Sequence, residues 1–178
     1  MLIDKIYYAG IGSRIIPSDI FSKMTKIAHT FEKLGFILRS GGSDGADTAF
    51  ENGIIEDSNK EIFIPWEGFN GRMTGILLPD DEKYTKLVYE THPLKDKIKK
   101  VELMFHRRNC CQVLGLNLDS PVKFVLCWTP DGTENKTTIK TGGTGQAIRL
   151  ANLYNIPVFN MKNENWEERL DMLISMFI

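Results

Sequence analysis

Apolar residues fall along this chain in two alternating rhythms. Ile6, Tyr7, Tyr8 and Ala9 form a short continuous run that stops at Gly10. Ile20, Met24, Ile27, Ala28, Phe31 and Leu34 then recur at helical spacing, behind Pro17 and Ser18 and ahead of Gly35. The run predicts a buried strand, and the spacing predicts an amphipathic helix with one face on a sheet. Phe36, Ile37 and Leu38 predict a second strand. Ala46, Ala49, Phe50 and Ile54 line one side of a second helix, weakened near its end by Gly53. Glu61, Ile62, Phe63 and Ile64 predict a third strand, stopped by Pro65.

From 65 to 81 the rhythm breaks, with Trp66, Phe69, Asn70 and Arg72 set among glycines without a period. Long loops are uncommon and, when ordered, often carry function, so this stretch is expected to be a lid or pocket wall. Helices are expected over 82–90 and within 94–116, the latter with Val101, Met104, Phe105 and Val113 inward. Residues 121–128 form the most continuous apolar run and predict a fourth strand covered on both faces. Residues 129–140 are polar and expected to be hairpin-like or flexible. A helix carrying Ile148, Leu150, Ala151 and Tyr154 follows, then a strand at 156–159. A closing helix over 166–174 turns Leu170, Leu173 and Ile174 inward. Strands alternating with helices predict an α/β fold: a Rossmann-like three-layer domain, single over residues 1–178, with a mostly parallel sheet of about five strands.

Composition narrows the function classes. With 42% hydrophobic and 25% charged residues the chain has an ordinary globular make-up, and its net charge of −1 supplies no global field to attract nucleic acid. Nucleic-acid binding would need a local patch. No apolar run approaches a membrane span, and Met1 to Lys5 lack the basic and apolar regions of a signal peptide and run straight into a strand. A cytoplasmic protein, from a bacterial or phage-infected cell, is expected. Cys110, Cys111 and Cys127 are odd in number and two are adjacent, which suggests reduced core thiols. Neither a metal nor a cofactor is expected.

The candidate chemistry lies in three glycine turns, each placed after a strand-like run. Residues 38–51 read as strand end, glycine turn and helix start, with Arg39, Ser40, Gly41, Gly42, Ser43, Asp44 and Asp47 in or beside the turn. Gly10, Gly12, Ser13 and Arg14 form a weaker copy, and Gly142, Gly143, Thr144, Gly145 and Gln146 a third. Glycines let backbone approach a ligand closely, and a helix N-terminus presents free N–H groups and partial positive charge, an arrangement that binds phosphate. Arg14 is suited to a two-pronged grip on phosphate. Asp44 and Asp47 would repel phosphate and suit a ribose hydroxyl or base amine, or, for Asp44, a helix cap. Glu51 follows Asp47 by one turn, and such a pair could serve acid–base chemistry at a glycosidic bond. Arg107, Arg108 and Asn109 are candidates for a phosphate clamp, Trp66 and Phe69 for base stacking, and Trp128 and Thr129 for the sheet edge where α/β folds gather ligands.

On these motifs the chain resembles the SLOG superfamily, which joins the DNA-processing protein DprA (Smf) to the LOG phosphoribohydrolases. The resemblance covers nearly the whole chain and rests on residues 10–14, 39–47 and 142–145. It is greatest to small stand-alone bacteriophage members labelled DprA-like, which carry stretches similar to residues 65–71 and 127–132. LOG enzymes read Pro-Gly-Gly-x-Gly-Thr-x-x-Glu and use the final Glu in glycosidic-bond hydrolysis. Here Thr141, Gln146 and Arg149 replace the Pro, the Thr and that Glu. The resemblance therefore implies a kept phosphate cradle without the LOG catalyst. It points to a protein that binds a nucleotide or nucleotide-derived signal of the ADP-ribose or cyclic ADP-ribose type, sequestering or sensing it, and in a phage countering defence. Two alternatives stand beside it: a nucleotide N-glycosidase using Asp47 or Glu51, and a DprA-like binder of single-stranded DNA. The expected partners are thus a nucleotide-type small molecule or, alternatively, nucleic acid, with no membrane. A homodimer or larger homo-oligomer is expected, with the helix over 101–116 as a candidate contact.

Overall fold

The computed structural model describes residues 5–178; the expectation for the first four residues lies outside them. Six parallel strands form one sheet: β1 (Ile6–Gly12), β2 (Phe36–Ser40), β3 (Lys60–Ile64), β4 (Ile76–Leu77), β5 (Val125–Trp128) and β6 (Val158–Asn160). Their order is β4-β3-β2-β1-β5-β6. The sixth strand is β4, which pairs its two residues with Phe63 and Ile64 inside the stretch expected to be loop. Two residues are too few for any alternation to register, so this edge strand carries no sequence signal.

Helices cover both faces. α1 (Ser18–Lys33), α2 (Ala46–Glu51) and α6 (Trp166–Ile174) lie on one side; α3 (Glu82–Thr91), α4 (Lys100–Leu114) and α5 (Thr144–Leu153) lie on the other. The split follows strand alternation. Tyr8, Leu38 and Leu126 pack with Met24, Phe31, Phe50 and Leu170 on the first face. Ala9, Ile11, Val125 and Cys127 pack with Val113, Leu114, Ile148 and Leu150 on the second. Each fully buried Leu or Phe contributes roughly 1.5–3 kcal/mol. Tyr8, Phe31, Phe36 and Phe124 meet ring to ring, with centroids 5.1–6.1 Å apart.

α1 ends as its sequence predicts, with Leu34 followed by Gly35 at φ +86°. Two inward positions are corrected. Val101 is 55% exposed near the start of α4, and Leu34 is 40% exposed as the C-cap of α1. Leu173 packs against the first face, partly buried. Residues Arg108 through Leu114 are buried in the core, so the free part of α4 is its start. No described helix is long and apolar enough to cross a membrane.

Candidate functional site

The strand order reverses between β1 and β5, and the crevice outside the carboxyl ends of the strands at such a point is where open α/β sheets hold ligands. Gly12 is in register with Trp128, and Ser13 N–H donates to the Trp128 carbonyl at 3.0 Å. The first and second glycine turns meet directly. Ala46 N–H donates to the Ser13 carbonyl at 3.1 Å. Gly45 adopts φ +75° with the Ser13 and Arg14 carbonyls so close that a Cβ would collide with them.

The second turn is filled from within. Asp47, 4% exposed, accepts from Ser43 N–H at 3.2 Å and lies 3.5 Å from the Arg108 guanidinium, itself 5% exposed. Arg108 also donates to the Gly41 carbonyl and to Ser43 Oγ. A carboxylate on α2 and a guanidinium on α4 thus occupy the groups that a phosphate would otherwise engage. Burial raises the Asp47 pKa to about 6, and the opposing pull of Arg108 and Ser43 does not cancel it. Burial also lowers the Arg108 pKa, against the raising effect of Asp47.

An aromatic wall stands beside this turn. Trp66, Phe69 and Phe105 pack edge to face, with centroids 5.2–5.6 Å apart. The exposed Arg14 lies 5.1 Å from the Phe105 ring centre, and Arg108 lies 5.9 Å from Phe69 and 5.6 Å from Phe105. Asn70 bridges outward to the exposed Asp44 at 3.1 Å and to the Gly42 carbonyl at 3.2 Å. Arg72 grips Glu51 with two bonds of 2.7 Å, and Lys60 adds a third cationic contact at 3.5 Å. The rim carries two apolar side chains with little cover, Ile15 at 87% and Met73 at 97% exposure.

The third turn is held by Asp131. Its carboxylate accepts from Thr129 Oγ1 at 2.8 Å, Thr138 Oγ1 at 2.9 Å and Thr141 Oγ1 at 2.5 Å, which together hold its pKa down against the raising effect of burial. Residues 129–140 are therefore an ordered loop, not a hairpin or a flexible one. From α4, Asn109 Nδ2 donates to the Gly143 carbonyl at 2.8 Å. Gly142 and Gly143 are exposed, with open space where side chains would stand.

The sequence-selected residues divide into two groups. Gly12, Ser13, Arg14, Gly41, Gly42, Ser43, Asp44, Asp47, Trp66, Phe69, Asn70, Arg108 and Trp128 gather around the first two turns. Asn109, Gly142, Gly143, Thr144 and Gly145 gather around the third. Others are turned away or enclosed. Arg39 pairs with Glu61 at 2.6 Å, donates to the Ser120 carbonyl and stacks over Tyr7 at 3.9 Å, on the face opposite Leu38. Arg107 reaches the Pro79 and Asp81 carbonyls and Tyr84. Ser40 is fully buried, donating to the Gly10 carbonyl at 2.6 Å, and Gly10 itself lies inside β1 against Phe50. Thr129 is 0% exposed between Asp131 and Asn160, and Gln146 is fully buried against Thr91 and Arg149. Arg107 keeps exposed surface, whereas Arg39, Ser40, Gly10, Thr129 and Gln146 are buried where they stand. Asp44 does not cap α2, whose N-cap is Gly45. Phe105 joins the site unannounced, and Arg72, expected only as part of a pocket wall, joins it through Glu51. Phe105 was legible only through its three-residue spacing to Arg108, which puts both on one helix face.

No protein-family model and no curated protein matches the sequence. Among solved structures, the chain is similar to DNA processing protein A from Helicobacter pylori, a structure described for its single-stranded DNA binding mode. The TM-score is 0.52 at 18% identity, over 87% of this chain and 64% of that one, so this chain spans somewhat less than two thirds of its neighbour's length. At that identity the likeness is one of fold: a DprA-like, Rossmann-like α/β arrangement.

Proposed function

We propose that the carboxyl edge of the sheet binds single-stranded nucleic acid without cleaving it. The observation that carries this reading is the wall of Trp66, Phe69 and Phe105 beside the glycine turns, with exposed Arg14 over Phe105. Aromatic faces stack on bases without regard to sequence, and a flanking arginine serves the backbone phosphates. Trp66 is half-buried, so it keeps a surface to offer. The single-stranded DNA binding described for the fold neighbour supports the same direction. The chain's near-neutral charge means that the binding surface is local, not a global field.

Cleavage is disfavoured by the partners of the two acids considered for it. Asp47 is closed over by Ser43 and Arg108, and Glu51 is clamped by Arg72 and Lys60. A second reading, capture of a nucleotide-derived signal, is favoured by exposed Asp44 and Asn70 at the mouth of the second turn, where a carboxylate would accept from ribose hydroxyls.

Fluorescence anisotropy with a labelled oligothymidylate separates the two. Trp66→Ala and Arg14→Ala are each expected to weaken strand binding roughly tenfold, in line with about 1–3 kcal/mol per stacked base. Strand affinity unchanged in both variants, with tight capture of free ADP-ribose that Asp44→Ala abolishes, would replace the first reading with the second.

A further inference from the structure

His92, at the end of α3, and His106, on α4, bring their rings to 4.6 Å between centroids. Arg149, on α5, joins them through a short chain of side chains. Its guanidinium donates to Gln146 Oε1 at 3.0 Å, and Gln146 Nε2 donates to the hydroxyl of Thr91, next to His92, at 2.5 Å. Three potential cations from three elements therefore converge beside the third glycine turn, to which Asn109, one turn on from His106, is bonded.

The cluster has no counter-charge. Among the described residues none of the three lies within salt-bridge distance of a carboxylate. The acid that influences both histidines, Glu102, is engaged at the start of α4, where it accepts from Lys99 N–H at 2.9 Å. Arg149 donates only to neutral oxygens, those of Thr137 and Gln146. Two enclosed nitrogens, His106 Nδ1 and Arg149 Nε, have no hydrogen-bond partner. His92 Nδ1 accepts from Leu94 N–H, so the neutral ring carries its proton on Nε2 and has a donor to offer. All three side chains are half-buried, sheltered enough for electrostatics to act strongly and open enough for a solute to reach.

We propose that His92, His106 and Arg149 form a binding site for a phosphate group. Planar guanidinium and imidazole donors suit phosphate oxygens, and the anion supplies the charge that the cluster lacks. Burial, together with His92, Arg149 and Arg108 beside it, holds the His106 pKa down at about 4, against the raising effect of Glu102. The Cys110 thiol, one turn on, is pushed up to about 12 and stays neutral. A bound anion reverses the balance, so binding takes up a proton and strengthens as pH falls. The site does not depend on the base-stacking wall, and its test reads separately from strand binding.

The chain has three histidines, and the third, His29, faces Glu32 on α1, across the sheet from this cluster. Their imidazole carbon-bound proton signals can be followed by NMR through a pH titration, in inorganic phosphate and in chloride of equal ionic strength. Phosphate is expected to raise the apparent pKa of His106 and His92 while leaving His29 in place. Phosphate affinity should fall by up to about tenfold per pH unit as His106 deprotonates. Arg149→Gln should abolish the effect and Arg149→Lys restore part of it. A nucleoside 5′-monophosphate and an oligonucleotide lacking a terminal phosphate tell whether the group is a terminal phosphate or a backbone diester. No movement of His106 and His92 in wild-type protein with any of the three probes, or equal movement of His29, would overturn the site.

Discussion

Asp47, buried, and His106, half-buried, have opposite habits. The folded chain holds Asp47 at about pKa 6, above its ordinary 3.8, and so takes up a proton there on acidification that the unfolded chain does not. It holds His106 at about 4, below its ordinary 6.5, and so fails to take up a proton that the unfolded chain does. Asp47 therefore adds stability as pH falls from about 6 to 4, and His106 removes it between about 6.5 and 4. In wild-type protein the two nearly cancel. Relative to wild type, His106→Gln should gain stability on acidification across that window, by about 2 kcal/mol, and Asp47→Asn should lose a similar amount. Asp47→Asn should also start from a lower level, by roughly 3–5 kcal/mol, because it leaves the Arg108 charge buried without its partner. Urea unfolding at pH 7, 6, 5 and 4 reads both slopes; parallel curves for the two variants would refute the opposition.

At the scale of elements, the glycine turns depend on loops that pin them. Asp131 joins Thr129, Thr138 and Thr141 and thereby seats the chain that enters the third turn. Asp131→Ala should loosen residues 129–143 and speed their amide hydrogen exchange, with an overall loss of about 2 kcal/mol from hydroxyls left without acceptors. Uniform exchange rates in variant and parent would show the loop to be held otherwise. The periodic elements were legible from sequence because each buries a face: α1 and α6 fall where their apolar spacing places them. Asp131 was not, since threonines scattered around one acid look like any polar loop until the chain folds back. The basic residues 106–108 on α4 separate in the fold for a simple reason. Neighbouring helical residues point about 100° apart, so His106 turns to His92, Arg107 to Tyr84 and Arg108 to the second turn. A run in sequence became three separate sites.

On the scale of the whole molecule, topology does what no single motif does. β1 lies between β2 and β5, so glycine turns distant in sequence open on one edge of one sheet. The parallel three-layer architecture was readable from the alternation of runs, but the crevice contents were not. A glycine turn looks the same in sequence whether a ligand or an internal Asp47–Arg108 pair fills it. The inward acid and arginine leave Trp66, Arg14 and the exposed turns as the surface proposed to meet a strand.

The most direct test of that surface is the salt dependence of wild-type affinity for labelled oligothymidylate. A strand laid across the aromatic wall and its few flanking cations should bind with log affinity falling linearly against log salt, at a slope of about −1.5 to −3, equivalent to two to four phosphates at roughly −0.7 each. No measurable binding at 50 mM salt, or affinity that does not change with salt, would contradict the nucleic-acid reading of this edge.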